Sequence, residues 1–387
     1  MDKLKDIFLF DENNSEIKQY FSFFGKTRYK LLIMIEYLIS LSKIEIIEIG
    51  KEDIDYLRNI YTNFNLENCS IIFNYTKTHS YINSLTKFLK DTIDEKSNMT
   101  ENGISNFINF CLPESDINSI YFTISIKEFN TKHLLTKINS ILKVLKEYIL
   151  KWTKVPIITK LDNKFSAPTF LGKELLIFYE RLIIQSRKLN NYKYTTKFGG
   201  INGNFNEHHT ALPNIDWIEF GDKFIKIFNL ERNQYTKGID HYDNYIEIFD
   251  NIKRINKIFI DFINHILEYE EIGYLNLNND IKQSLGYFVI TNNHLDLYQN
   301  CLINNSSSIY SLSYFYLEQL SLVFYNLIQA LNLLDKSINN LDINLKNIDK
   351  DLNSNYDIIV DGIISRLKIL DIFINKDELK ANINKSD

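Results

Sequence analysis

Apolar residues recur at intervals of three, four and seven along most of this chain, a rhythm that predicts helices rather than strands. The first long apolar face covers residues 15–43, through Phe21, Phe24, Tyr29, Leu32, Ile35 and Ile39. Shorter helices are predicted over 51–63 and 80–94. A long amphipathic helix is predicted over 116–152, with Leu134, Leu135, Ile138, Ile141, Leu142, Leu145 and Ile149 at the spacings of a bundle seam. Residues 152–168 read as a loop. The next pattern, 169–196, is apolar nearly all round and predicts a helix buried deep in a bundle. A short helix at 215–228 and long ones at 241–269 and 309–336 complete the reading. The fold class is all-α, an elongated multi-helix bundle. The polar break around Asn98–Gly103 marks a first boundary, giving an N-terminal helical domain 1–105, a central long-helix bundle 106–340 and a short helical tail 341–387.

One stretch interrupts these helices. Residues 197–217, K-F-G-G-I-N-G-N-F-N-E-H-H-T-A-L-P-N-I-D-W, hold three glycines, several asparagines and two adjacent histidines. Gly199, Gly200 and Gly203 suit a backbone that takes positive φ or approaches another group closely. Asn204 and Asn206 offer amide donors and acceptors, and His208 can exchange a proton near neutral pH. Read alone, the stretch is either a long turn between helices or part of a binding site.

Composition narrows the classes. Of 387 residues, 45% are hydrophobic and 24% charged, ordinary for a globular protein, and only 12 Gly and 4 Pro argue for helices over turn-rich β architecture. The net charge of −5, with both signs interspersed, argues against a nucleic-acid-binding surface. The longest apolar run, residues 31–41, is too short to span a bilayer, and the charged N-terminus lacks a signal-peptide core. Three scattered cysteines form no C-x-x-C pair, so a reducing, cytoplasmic setting is expected. Neither a metal site nor a cofactor is predicted.

The pattern G-x-x-G-N-x-N-x-H followed by P-x-x-D-W (Gly200, Gly203, Asn204, Asn206, His208, Pro213, Asp216, Trp217) resembles adenylosuccinate lyase, of the fumarase/aspartase superfamily. The resemblance implies a helical homotetramer whose active sites lie where subunits meet, with no membrane or nucleic-acid partner. It implies an anionic nucleotide substrate and β-elimination of fumarate from adenylosuccinate, giving AMP, or from the succinylated imidazole carboxamide intermediate of purine biosynthesis. Such chemistry needs a base to take a proton beside a carboxylate and an acid to protonate the leaving nitrogen.

Several positions depart from that pattern. The base in the family is a serine on a mobile loop, and here Tyr274 and Leu275 stand in its place. The family's acid is a histidine, replaced by Asp162 in the segment 161–174. Pro113–Glu114 stand where the family has Thr–Ser, and Glu114 would repel an anionic substrate if it faced the site. The resemblance therefore implies Asp162 and His208 as catalytic residues and His79, Lys173, Asn204, Asn206 and Asp243 as substrate-binding ones. His241, His265 and His294 read as surface or satisfied helix residues. The competing expectation is a catalytically silent member retained as a helical oligomeric or interaction protein.

Overall fold

A computed structural model of the chain describes residues 15–161, 164–278, 280–303, 310–377 and 379. The described residues are mostly helical, with three two-stranded sheets, and they divide into two compact units. The first comprises the described residues within 1–134, 190–250 and 293–325; the second comprises those within 135–189, 251–292 and 326–387.

In the first unit, α1 (Ser15–Phe21) turns into α2 (Phe23–Ser42) at Ser22, whose hydroxyl accepts from the Gly25 amide at 3.1 Å and caps the longer helix. The predicted single helix over 15–43 is thus two, because a local side-chain cap competes with helical continuation. Next come α3 (Lys51–Thr62), α4 (Leu66–Tyr75), α5 (Tyr81–Asp94) and α6 (Ser97–Glu101). The central element is α7 (Glu114–Phe129), in which every residue from Asp116 to Ile126 is buried. Its large apolar side chains, Ile117, Ile120, Tyr121 and Phe122 among them, each contribute about 1.5–3 kcal/mol by leaving water. The predicted helix 116–152 does not run straight through: a π-helical turn, Asn130–Leu134, separates α7 from the next helix. Inside it the Asn130 amide donates to the Tyr194 hydroxyl at 3.1 Å.

The remaining elements of this unit are short. Parallel strands β3 (Thr195–Thr196) and β4 (Glu231–Arg232) pair Thr195 with Glu231. Between them lie α10 (Asn206–Ala211) and α11 (Trp217–Lys226), and α12 (Asp243–Glu271) starts here. Asp216 caps α11 by accepting from the Glu219 amide at 2.9 Å.

The second unit holds α8 (Leu135–Lys151), whose buried face is the predicted seam of Leu135, Ile138, Ile141, Leu142 and Leu145. Residues 152–168, read as a loop, instead build a hairpin. Strand β1 (Pro156–Leu161) pairs with β2 (Lys164–Phe170), Ile158 opposite Pro168, with a register shift just after that pair. A proline is tolerated in a ladder at such an irregularity, so Pro168 does not forbid the strand. Helix α9 (Leu171–Asn190) follows, then the rest of α12, the clasp β5 (Leu275–Asn276) with β6 (Asp342–Ile343), and α13 (Asp280–Ile303). The end of α13, from residue 293, belongs to the first unit, as do α14 (Tyr310–Glu318) and the start of α15 (Leu320–Ile338); the rest of α15, α16 (Leu345–Ser354) and α17 (Val360–Ile369) complete the second. The deep burial expected of α9 is met on one face only: Leu175, Phe178, Leu182 and Leu189 are buried, while Leu176, Ile177 and Ile184 stay exposed.

No helix among the described residues is long and apolar enough to cross a membrane.

Candidate functional site

The Gly-rich stretch lies at a cleft, held there by a buried charge pair. The Lys197 ammonium meets the Asp116 carboxylate near the start of α7, and neither side chain is exposed. The other carboxylate oxygen accepts from the Gly199 and Gly200 amides at 3.0 and 2.8 Å. Burial raises the Asp116 carboxyl above the ordinary carboxylate range, while Lys197 and the two N–H groups pull it back. Asp240 fixes the same strand end, accepting from the Lys197 amide at 3.0 Å and from the Ser119 hydroxyl at 2.7 Å.

Two glycines do what the sequence expects of them. Gly200 and Gly203 have φ of +79° and +77°. A Cβ on Gly203 would stand 2.3 Å from the Thr236 carbonyl oxygen, so only glycine lets the turn close on that segment.

The result is a cleft of about 980 Å³ in the first unit, walled by residues 201–204 on one side and 234–243 on the other, with Glu114 and Ser115 at the N-terminus of α7 and Leu302 completing the lining. Asn204 and Asp243 belong to this lining, and so does Glu114. His241 lies there too, its Nδ1 3.2 Å from the Asp243 carboxylate. That pairing escaped sequence reading because His241 carries no motif; the only available signal was an aspartate two residues on. An imidazole held by a carboxylate in an open cleft can take up or release a proton there.

The other expected residues lie elsewhere. His208 is fully buried, its Nε2 3.2 Å from the Tyr37 hydroxyl and its ring 4.7 Å from that of Trp217. Burial lowers it to about 4. Asn206 opens α10 and is exposed. His79 is exposed ahead of α5, with Nδ1 2.7 Å from the Thr78 hydroxyl. Lys173, in the second unit, is exposed and bonds Glu174 at 2.9 Å. Asp162 lies outside the described residues. His265, read as a satisfied helix residue, has Nε2 3.5 Å from Glu174, and burial lowers its pKa.

The segment matched to the family's mobile loop is anchored. Tyr274 is buried, which pushes its phenol well above the usual range, and Leu275 is buried in the β5–β6 clasp opposite Ile343. Neither is a base. Among the described residues there is no cluster of three or more His, Cys, Asp or Glu placed to hold a metal ion.

A lyase family model matches residues 9–284, more than half of the chain. The chain is similar to the adenylosuccinate lyase of Dictyostelium discoideum, 30% identical over 381 residues covering 91% of this chain and 81% of that protein. It is also similar to the adenylosuccinate lyase of Escherichia coli (strain K12), 26% identical over 270 residues, 68% of this chain and 58% of that protein. Among solved structures, a fumarate lyase from Mesorhizobium sp. BNC1 superposes with a TM-score of 0.74 at 13% identity, over 91% of this chain and 81% of that one. The beta-carboxy-cis,cis-muconate cycloisomerase of Acinetobacter calcoaceticus sp. ADP1 gives 0.70 at 12% identity, again over 91% and 81%. Gly-rich turn, helical frame and sequence likeness converge: the chain belongs to the lyase family of the fumarase/aspartase superfamily, as a divergent relative of the adenylosuccinate lyases.

Proposed function

We propose that the chain is a carbon–nitrogen lyase of the adenylosuccinate lyase kind, acting in purine biosynthesis in the cytoplasm. It would eliminate fumarate from adenylosuccinate to leave AMP, and from the succinylated imidazole carboxamide intermediate. A proton leaves the carbon beside a carboxylate, the carbon–nitrogen bond breaks with its electron pair going to nitrogen, and an acid protonates that nitrogen. The double bond of fumarate forms between the two carbons.

The observation that supports this reading is the cleft itself, which gathers the family's Gly-Asn turn, Asn204 and Asp243 around the His241–Asp243 pair. His241 is assigned the proton transfer, with Asp243 fixing its tautomer and orientation. His208 is assigned to packing the turn, and Asn204 to binding substrate. Leu176, Ile177 and Ile184 on α9, exposed in the single chain, support assembly into a homotetramer. Purified protein incubated with adenylosuccinate should yield AMP and fumarate above a buffer blank. A folded tetramer giving neither would end the reading.

One observation favours the second reading, a silent helical assembly. The clasp at Leu275 anchors the segment that the family uses as a mobile, base-bearing loop.

A further inference from the structure

The cations around the cleft are engaged by the protein itself, with one exception. Lys197 is taken up by Asp116, the Gly200 carbonyl and the Ser115 hydroxyl. The Arg232 guanidinium donates to Asp222 at 2.7 Å and to Gln234 at 2.6 Å. Lys237 is the one lysine or arginine among the described lining residues, and it makes no hydrogen bond or ion pair with a described residue, Glu114 included. The backbone that carries it is held on both sides. A Cβ on Gly203 would stand 2.3 Å from the Thr236 carbonyl oxygen, and one on Gly238 would stand 3.1 Å from the Ile201 carbonyl oxygen. The residues before and after Lys237 therefore both lie close against the opposite wall, which fixes where the side chain starts while leaving it exposed. On that opposite wall the side-chain amides of Asn202 and Asn204 are exposed and likewise have no partner among the described residues. An ammonium and two amides thus offer N–H donors that the protein leaves unused. Of the lining carboxylates, Asp240 is saturated by the Ser119 hydroxyl, the Asn233 amide and two backbone N–H groups, and Asp243 meets His241. Glu114 belongs to α7 and to neither wall.

We propose that Lys237 is the anion anchor of this cleft, a specificity-determining residue that receives a carboxylate or phosphate group of the ligand while Asn202 and Asn204 donate to it from the facing wall. A hydrogen bond from an ammonium to an anionic oxygen is about twice as strong as one between neutral groups, and the amides add direction to it. The ligand class is a small dianion, either a dicarboxylate or a phosphate monoester; the substrate proposed above carries both groups. The proposal deepens the lyase reading and rests on it only in taking this cleft as the ligand site.

The test is isothermal titration of the full chain with fumarate, a dicarboxylate, with AMP, a phosphate monoester, and with adenosine, which lacks the phosphate. Wild type is compared with Lys237→Met and Lys237→Arg, each checked for unchanged circular dichroism and melting. Lys237→Met should weaken fumarate or AMP at least fivefold and leave adenosine unmoved, and Lys237→Arg should keep the wild-type affinities. A loss confined to AMP assigns the anchor to the phosphate, and one confined to fumarate assigns it to a carboxylate. Losses below fivefold for both anions overturn the proposal, as does Lys237→Arg losing as much as Lys237→Met. It is also overturned if wild type binds neither anion, or if adenosine and AMP fall equally with fumarate unmoved. Binding is read without turnover, which keeps the two readings separable. An inactive protein whose anion affinity responds to Lys237 removes the lyase reading alone; an active one whose affinity does not respond removes this one alone.

Discussion

The Lys197 ammonium and the Asp116 carboxylate meet inside the first unit with no exposed surface on either side chain, and the same carboxylate holds the amides of Gly199 and Gly200. This pair joins the start of α7 to the turn that walls the cleft. Removing one partner leaves the other charged and buried, which costs about 3–5 kcal/mol. Asp116→Ala and Lys197→Met should each lower unfolding free energy by that order in urea titrations. The double replacement Asp116→Leu with Lys197→Met should cost clearly less than the sum of the singles, because no lone charge remains. Single losses below about 1 kcal/mol would contradict the role given to the pair.

The two positive-φ glycines of the turn should respond unequally to alanine. At Gly200 the nearest atoms to an added Cβ lie 3.6 Å away on His208, so the penalty is conformational strain alone, about 1 kcal/mol. At Gly203 the added carbon also runs into Thr236 backbone. Gly203→Ala should therefore destabilise by about 2 kcal/mol or more and should weaken ligand binding in the cleft. Equal melting temperatures for the two variants would show that the turn does not close on Thr236 as described.

His208 makes stability depend on pH. Burial holds it at about 4, below the 6.5 of an exposed imidazole, so the unfolded chain binds a proton first as pH falls. Its contribution is complete above about pH 6.5 and is lost progressively down to about pH 4, amounting to about 3 kcal/mol across that window. Unfolding titrations at pH 7 and pH 4.5 measure it. His208→Gln should flatten the difference between them by most of that amount while lowering stability at pH 7, since Gln cannot fill the space against Trp217 in the same way.

Proton transfer by His241 predicts a kinetic signature. His241→Ala should reduce kcat about 10²–10⁴-fold, the usual worth of a positioned acid or base. Asp243→Asn should reduce it less, because the imidazole loses the 3.2 Å carboxylate partner that orients it. An unchanged kcat in Asp243→Asn would separate the two residues.

The helices were legible because burial on one face imposes a period that survives an Ile- and Asn-rich composition. Helix α12 occupies Asp243–Glu271 against an expected 241–269, and α5 fills Tyr81–Asp94 against 80–94. Helix α13 went unread, because its polar residues are spread round it and leave little amphipathic signal. The β1–β2 hairpin was hidden by its prolines, which read as breakers unless a ladder irregularity accommodates them. At the site, Asn204, Asp243 and the closing glycines could be read because their spacing is a motif. His241 could not be: its partnership with Asp243 acquires meaning only when the 234–243 segment folds back over the turn.

Gly203 sits against Thr236 with no room for a Cβ between them, so the two walls touch at that point. The contact is shaped before any ligand arrives, and an incoming molecule has little chain to order there. Association should accordingly carry a small conformational entropy penalty, and selectivity should come from fit and charge rather than from closure.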